Sequence, residues 1–132
     1  NFFMFRMKRT FKTISVFIMS FFYIMVGLSH FKNPKWYLQI IPPVLPLKLE
    51  LVYLSGIFEI ILGLLLLFKN TRPLAGWGLI ILLIAVYPAN IYLAITNGEA
   101  MGTSSLIAWG RLPIQFIFIS LAYWHIEIEE TI

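Results

Sequence analysis

The sequence predicts an all-α integral membrane protein: a transmembrane four-helix bundle with a short interfacial or re-entrant helix in its first outer linker. Apolar residues make up 60% of the 132 positions and charged residues only 12%, which leaves too little polar surface for a water-soluble domain of this size. The apolar residues fall into four segments, most of them near the roughly 20 residues needed to cross about 30 Å of hydrocarbon. The charges gather at segment ends: Arg6, Lys8, Arg9 and Lys12, then Lys69 and Arg72, then Glu127, Glu129 and Glu130. That is the pattern of spans joined by short caps. No internal repeat or composition shift divides the chain, so residues 1–132 are read as a single integral membrane domain.

The first span runs from about Phe11 to Ser29. Its basic flank imitates a signal peptide, but Gly27-Leu28-Ser29 leads straight into His30 and Phe31 with no small-x-small cleavage pattern. It is read as a retained span. The linker Phe31 to Pro46 is too apolar for a solvated loop and too short to cross and return. Pro34 suits the first turn of a short helix, and Pro42-Pro43 must stop it. Trp36 and Tyr37 belong at the headgroup level. The second span runs from Leu47 to Phe68. The third runs from Pro73 to Ile95, with Pro73 in a first turn where its missing N–H is not needed. The segment Thr96 to Thr103 is polar and Gly-rich, an ordinary turn. The fourth span covers about Leu112 to Ile126 and, at 1.5 Å per residue, must begin earlier, with Ser104 or Ser105 as N-cap. Arg111 then lies within its first turns.

Four spans return both termini to one side. With the amino terminus inside, that side carries Arg6, Lys8, Arg9, Lys12, Lys69 and Arg72, against Lys32, Lys35, Lys48 and Arg111 outside. The basic bias predicts both termini, including the acidic tail, on the inner, cytoplasmic side of the membrane. The formal charge of +4 points to the lipid bilayer, and to anionic lipid, as the partner. No Gly-rich phosphate loop or basic helical stripe indicates nucleic acid.

Glu59 is the most informative residue, because it lies within the second span. A carboxylic acid near the centre of a membrane costs about 2.5 to 3.5 kcal/mol on insertion scales, so such a group is paired, neutral or functional. Ser20, Tyr23, Gly27 and His30 recur at helical spacing along one face of the first span, as do Val52, Ser55, Gly56, Glu59 and Gly63 along the second. Gly78, Leu82, Ala85 and Ala89 make a small-residue stripe on the third, suited to close packing in lipid. Pro88 removes one helical bond beside Asn90. An outward-opening cavity lined by His30, Trp36, Tyr53, Asn90, Gln115 and Arg111, with Glu59 at its floor, would suit an elongated amphipathic molecule. Counting rise along the helices puts His30 near the outer surface and Glu59 about 18 Å inside the second span. Those two groups are therefore expected at different depths, with no counter-charge for Glu59 at mid-span and a neutral acid the expected form.

Several chemistries are excluded. Cysteine is absent, which removes disulfides and dithiol relays. The only histidines, His30 and His125, fall on opposite faces, so they cannot jointly ligate a haem or complete a metal site with Glu59; His125, beside Trp124 and ahead of Glu127, is read as an interfacial residue. No serine has a plausible His base and acid at hydrolase spacing. No catalytic residue can be named, and no intrinsic cofactor is expected.

At Gly-Leu-Ser-His-Phe (27–31), Pro-Pro-x-Leu-Pro (42–46), Ser-Gly-x-x-Glu (55–59) with Gly63, then Arg72 and Pro-Ala-Asn (88–90), the chain resembles the DoxX family of small bacterial membrane proteins. The likeness covers roughly Tyr23 to Ala94 and rests on the order and spacing of short fragments. It implies a four-helix membrane bundle, and it implies less about activity. Family members are associated with quinone-linked oxidoreductases and membrane redox complexes, and eukaryotic relatives resemble assembly factors. If the quinone role carries over, Glu59, Asn90 and His30 are the matching positions. A bound quinone or lipid is then expected, and electrons would need the redox centre of a partner protein. The leading reading is an accessory membrane subunit or binder of a small hydrophobic ligand, acting alone, with a redox partner or as a homo-oligomer. A structural or assembly role, a quinone-linked oxidoreductase subunit and small-molecule transport are the alternatives.

Overall fold

A computed structural model describes residues Phe2 to Ile126. Five α-helices follow in order: α1 (Phe2–Lys32), α2 (Pro34–Leu38), α3 (Lys48–Leu66), α4 (Arg72–Ile95) and α5 (Ser105–Trp124). A single 3-10 turn, Glu99–Met101, joins the last two. No strand occurs among the described residues. α1, α3, α4 and α5 are each long and apolar enough to cross a membrane, and the protein is a multi-pass membrane bundle. The acidic tail from Glu127 lies outside the described residues.

The second and third spans match α3 and α4 to within two residues, and the other helices differ more from the sequence expectation. α1 starts at Phe2, nine residues before the expected Phe11, and reaches Lys32. Nothing before Gly27 breaks a helix, and Arg6, Lys8 and Arg9 are good helix formers. Its 31 residues extend about 46 Å, longer than the hydrocarbon layer, so its basic first turns project from the bundle. α5 begins at Ser105, where the Ser104 hydroxyl accepts a 3.2 Å bond from the Ile107 amide, and it ends at Trp124 rather than Ile126. α2 stops at Leu38, four residues short of Pro42-Pro43. The chain between them folds over the end of the bundle and buries Ile40 against Leu93 and Ala108.

α1 packs antiparallel along α3, α4 packs along α5, and α3 meets α4 to join the two pairs. The α1–α3 contact is set by glycines. A Cβ on Gly27 would stand 2.8 Å from the Gly56 carbonyl oxygen, and one on Gly56 would stand 2.9 Å from that of Gly27. The Ser20 hydroxyl donates a 2.6 Å bond to the Gly63 carbonyl in the same seam. A core of Met19, Tyr23, Leu62, Leu66, Leu79 and Ala122 fills the half of the bundle nearer the termini. In the loop before α5, Gly98 takes φ +86°, and a Cβ there would approach the Thr103 carbonyl oxygen to 2.3 Å. Only glycine fits that turn.

Candidate functional site

The small residues that bring α1 against α3 also set their register. His30 lies opposite Gly56, with its Cβ 2.8 Å from where a Gly56 Cβ would be. α1 ends only about 3 Å past that level, while α3 begins about 12 Å past it. His30 is therefore recessed, and α2 occupies the space above it. This corrects the expected depths. The His30 Nδ1 lies 3.6 Å from Glu59 Oε2, so the two groups meet rather than marking the top and floor of a shaft.

His30 is fixed on three sides. Its Nδ1 is 2.8 Å from the Val26 carbonyl oxygen, and because a carbonyl only accepts, the ring proton is assigned to Nδ1. Tyr37 of α2 stacks on the imidazole with centroids 3.8 Å apart and planes 14° apart. The Tyr37 hydroxyl shares a hydrogen bond with Ser29. α2 is thus held over His30 by one aromatic face and one hydroxyl.

Glu59 is 9% exposed and Tyr23 4% exposed. Neither Glu59 Oε2 nor the Tyr23 hydroxyl has a hydrogen-bond partner among the described residues, since 3.6 Å from an imidazole nitrogen is too long. The two lie within electrostatic reach of each other. In a protein interior such orphaned groups are uncommon and expensive. Together they offer hydroxyl, carboxyl and imidazole groups to a polar atom arriving from outside the bundle.

The other expected site residues sit elsewhere. Asn90 donates through Nδ2 to Gln115 Oε1, and Gln115 Nε2 donates to the Leu83 carbonyl at 2.5 Å. This network ties α4 to α5 next to Ile84, whose carbonyl Pro88 leaves without its helical donor. Asn90 Oδ1 is buried without a partner. Arg111 contacts the Met101 sulfur at 3.7 Å. Tyr53 stacks on Phe31 at 5.2 Å between centroids, and Trp36 is 47% exposed with its ring edge-on to Tyr37. His30 and Glu59 therefore converge, while Asn90 and Gln115 form a separate pair. Tyr37 was expected only as a headgroup anchor and Tyr23 only on a helical face. Their spacing from His30 on α1 was the available signal for Tyr23, and nothing local distinguished Tyr37.

At the opposite end, His125 is fully buried and shares a 2.9 Å hydrogen bond with Ser15, where the sequence indicated an interfacial residue. Lys12 lies over the Trp124 ring at 5.5 Å. Burial first, and then the charges of Lys12 and Arg72, push His125 down to about 4. Below its unfolded value of about 6.5 the unfolded chain takes up a proton that the folded chain refuses. Stability is therefore expected to be full above that pH and to fall as pH drops toward 4. Thermal melts of detergent-solubilised protein at pH 7.5 and 5 check this. His125→Gln should flatten the difference, and an unchanged difference would show another group to be responsible.

No curated protein and no solved structure matches the chain. One family model matches, over residues 19–126, which takes in the second half of α1 from Met19, all of α2 to α5 and the His30–Glu59 site. The chain belongs to the family described as a domain of unknown function, DUF8561.

Proposed function

We propose that this chain is a binder of a small hydrophobic ligand, serving as an accessory subunit of a membrane complex, with the ligand's polar end at His30 and Glu59 beneath α2. One observation carries the reading: two buried polar groups, Glu59 Oε2 and the Tyr23 hydroxyl, lie near each other without hydrogen-bond partners among the described residues. A group left unpaired in low dielectric gains more from a ligand's hydrogen bond than one in water does. The resemblance of residues 23–94 to DoxX proteins makes a quinone one candidate for the ligand, with a redox partner protein or a second copy as the assembly partner. Mass spectrometry of lipids and small molecules on gently purified protein is the test. The wild type should retain a stoichiometric hydrophobic molecule, and Glu59→Gln should lose it while melting near the wild-type temperature.

The Asn90–Gln115–Leu83 network supports a second reading, a scaffold whose polar residues only tie helices together. In that case both proteins would be ligand-free, and Glu59→Gln would cost about 0.6 to 2 kcal/mol of helix–helix bonding.

The proposed setting is the bacterial cytoplasmic membrane with both termini inside, supported by the basic residues of α1 and the Lys69–Arg72 turn. Single cysteines at Asn33 and Asn70 of this cysteine-free chain should react with a membrane-impermeant maleimide from opposite sides. Reaction of both from outside would overturn that orientation.

A further inference from the structure

We propose that α2 and the chain after it, residues 33–47, form a hinged lid over the His30–Glu59 site, latched by Tyr37 and strained at Leu47. The lid opens toward the end of the bundle away from the termini. The inference rests on the reading of that site as a ligand site, and it adds how a ligand enters and what holds the way shut.

The groups to be reached are closed in: His30, Glu59 and Tyr23 are all buried. Between α1 and α3 the way is shut by backbone, since Gly27 and Gly56 bring the helices too close for a Cβ on either. α2 covers His30 on a weaker footing. It is a single turn of five residues, none of them buried, and a helix that short does not sustain itself. Two side chains pin the segment. The Tyr37 ring stacks on the imidazole at 3.8 Å, and Ile40 is buried against Leu93 and Ala108. The hydroxyl bond of Tyr37 also has a direction. Ser29 Oγ donates at 2.6 Å to the Val26 carbonyl, which only accepts. The proton between Ser29 and Tyr37 therefore comes from Tyr37, and that bond is the latch to α1.

Between its ends the segment is stiff. Pro34, Pro42, Pro43 and Pro46 fix φ at four positions. Bending is left to the flanks. Asn33 takes φ −131° and ψ 61° between α1 and α2. Leu47 takes φ 54° and ψ 46°, the left-handed conformation, directly before α3. For a residue with a Cβ that conformation is strained. The other non-glycine residue with positive φ among the described residues is Asn97, a type that tolerates it. Packing of the Leu47 side chain does not offset the strain, since it is 69% exposed. The strain persists because the closed arrangement of the segment imposes it. Swinging the segment outward about Leu47 releases it. The closed lid is thus a balance between pins at Tyr37 and Ile40 and a hinge that favours opening.

The test reads opening at His30 itself, in the full chain in phosphatidylcholine nanodiscs. With its proton on Nδ1, His30 has an unprotonated Nε2 that diethyl pyrocarbonate acylates when the lid opens, and peptide mass spectrometry separates it from His125. Tyr37→Phe keeps the ring and removes the latch, and it should raise the His30 rate about fivefold, the loss of roughly one hydrogen bond. Leu47→Gly removes the strain from the closed state and should lower the rate about fivefold. Leu47→Ala loses the same exposed side chain but keeps the strain, so its rate should match the wild type. Opposite signs for Tyr37→Phe and Leu47→Gly are the mark of a latch and a strained hinge. A rate raised by Leu47→Gly would indicate simple loosening of the chain and overturn the proposal. Equal rates in all variants would overturn it as well, as would the same change in Leu47→Ala and Leu47→Gly. The series is repeated in the Glu59→Gln background. If the wild type carries no co-purified ligand while the opposite signs hold in both backgrounds, the lid stands and the ligand reading falls. If a ligand is present and is lost in Glu59→Gln while latch and hinge variants react like the wild type, the ligand reading stands and α2 is a fixed wall.

Discussion

Gly56→Val is expected to destabilise the bundle by about 3 kcal/mol, the upper part of the range for overpacking a closed interface. A Cβ at this position would lie 2.8 Å from the His30 Cβ, 2.9 Å from the Gly27 carbonyl oxygen and 3.1 Å from a Phe31 ring carbon. A carbonyl within a helix cannot swing aside, so α1 and α3 must separate along their length. In lipid no hydrophobic drive opposes that separation, since the interface is held by close van der Waals contact. Two other glycines give the control series. A Cβ on Gly78 would meet only the Leu62 side chain, which can rotate, and one on Gly110 would meet nothing within 4 Å. Gly78→Ala should cost little, and Gly110→Ala should gain up to about 1 kcal/mol of helix propensity. Unfolding by denaturing detergent, followed by circular dichroism, measures all three. Equal stabilities for the Gly56 and Gly110 variants would show that the α1–α3 seam does not limit stability.

The same substitution reaches the site, because Gly56 is opposite His30. Separation by even 1 Å would take the His30 Nδ1 further from Glu59 than 3.6 Å and disturb the seat of Tyr37. Packing and site geometry are thus one feature of the fold. If the proposed binding function holds, a variant that keeps the helices but loosens this seam should lose ligand before it loses structure.

What was legible in the sequence was local or periodic. Hydropathy marked four spans, Ser104 announced the start of α5, and Pro34 announced α2. The far end of α1 was missed because hydropathy reports burial in lipid, while a helix continues through basic residues as readily as through apolar ones. The site was half legible. Glu59 stood out because an acid in a span is costly, and His30 because it shares a face with Tyr23 and Gly27. Their meeting depends on the offset between α1 and α3, fixed by Gly27 against Gly56 some 29 residues away, and counting rise from each helix end cannot supply that offset. Asn90 and Gln115 were both noticed, but their pairing is a contact between α4 and α5 with no signature in either helix alone. His125 reads as an interfacial residue in the sequence because its partner, Ser15, is 110 residues distant.

Arg72→Ala is expected to cost about 3 kcal/mol, the worth of roughly two hydrogen bonds from a charged donor. By sequence, Arg72 counts as a positive flank of the third span. By structure, it also closes the end of the second. Arg72 is 4% exposed, and its Nε donates to the Leu66 carbonyl at 2.8 Å and its Nη2 to that of Leu67 at 3.4 Å. A cation in the first turn of α4 opposes the dipole of its own helix. Its side chain turns back to the last carbonyls of α3, where the dipole is favourable and where four acceptors lack intrahelical donors. Thr71 assists, donating to the Leu65 carbonyl at 2.7 Å. Alanine would leave the Leu66 carbonyl without its side-chain donor at a buried helix end. Lysine would keep the charge but not the fork that reaches two carbonyls, so Arg72→Lys should recover less than half of the loss. If only the topological charge matters, Arg72→Lys would instead match the wild type in both detergent unfolding and maleimide accessibility at Asn70.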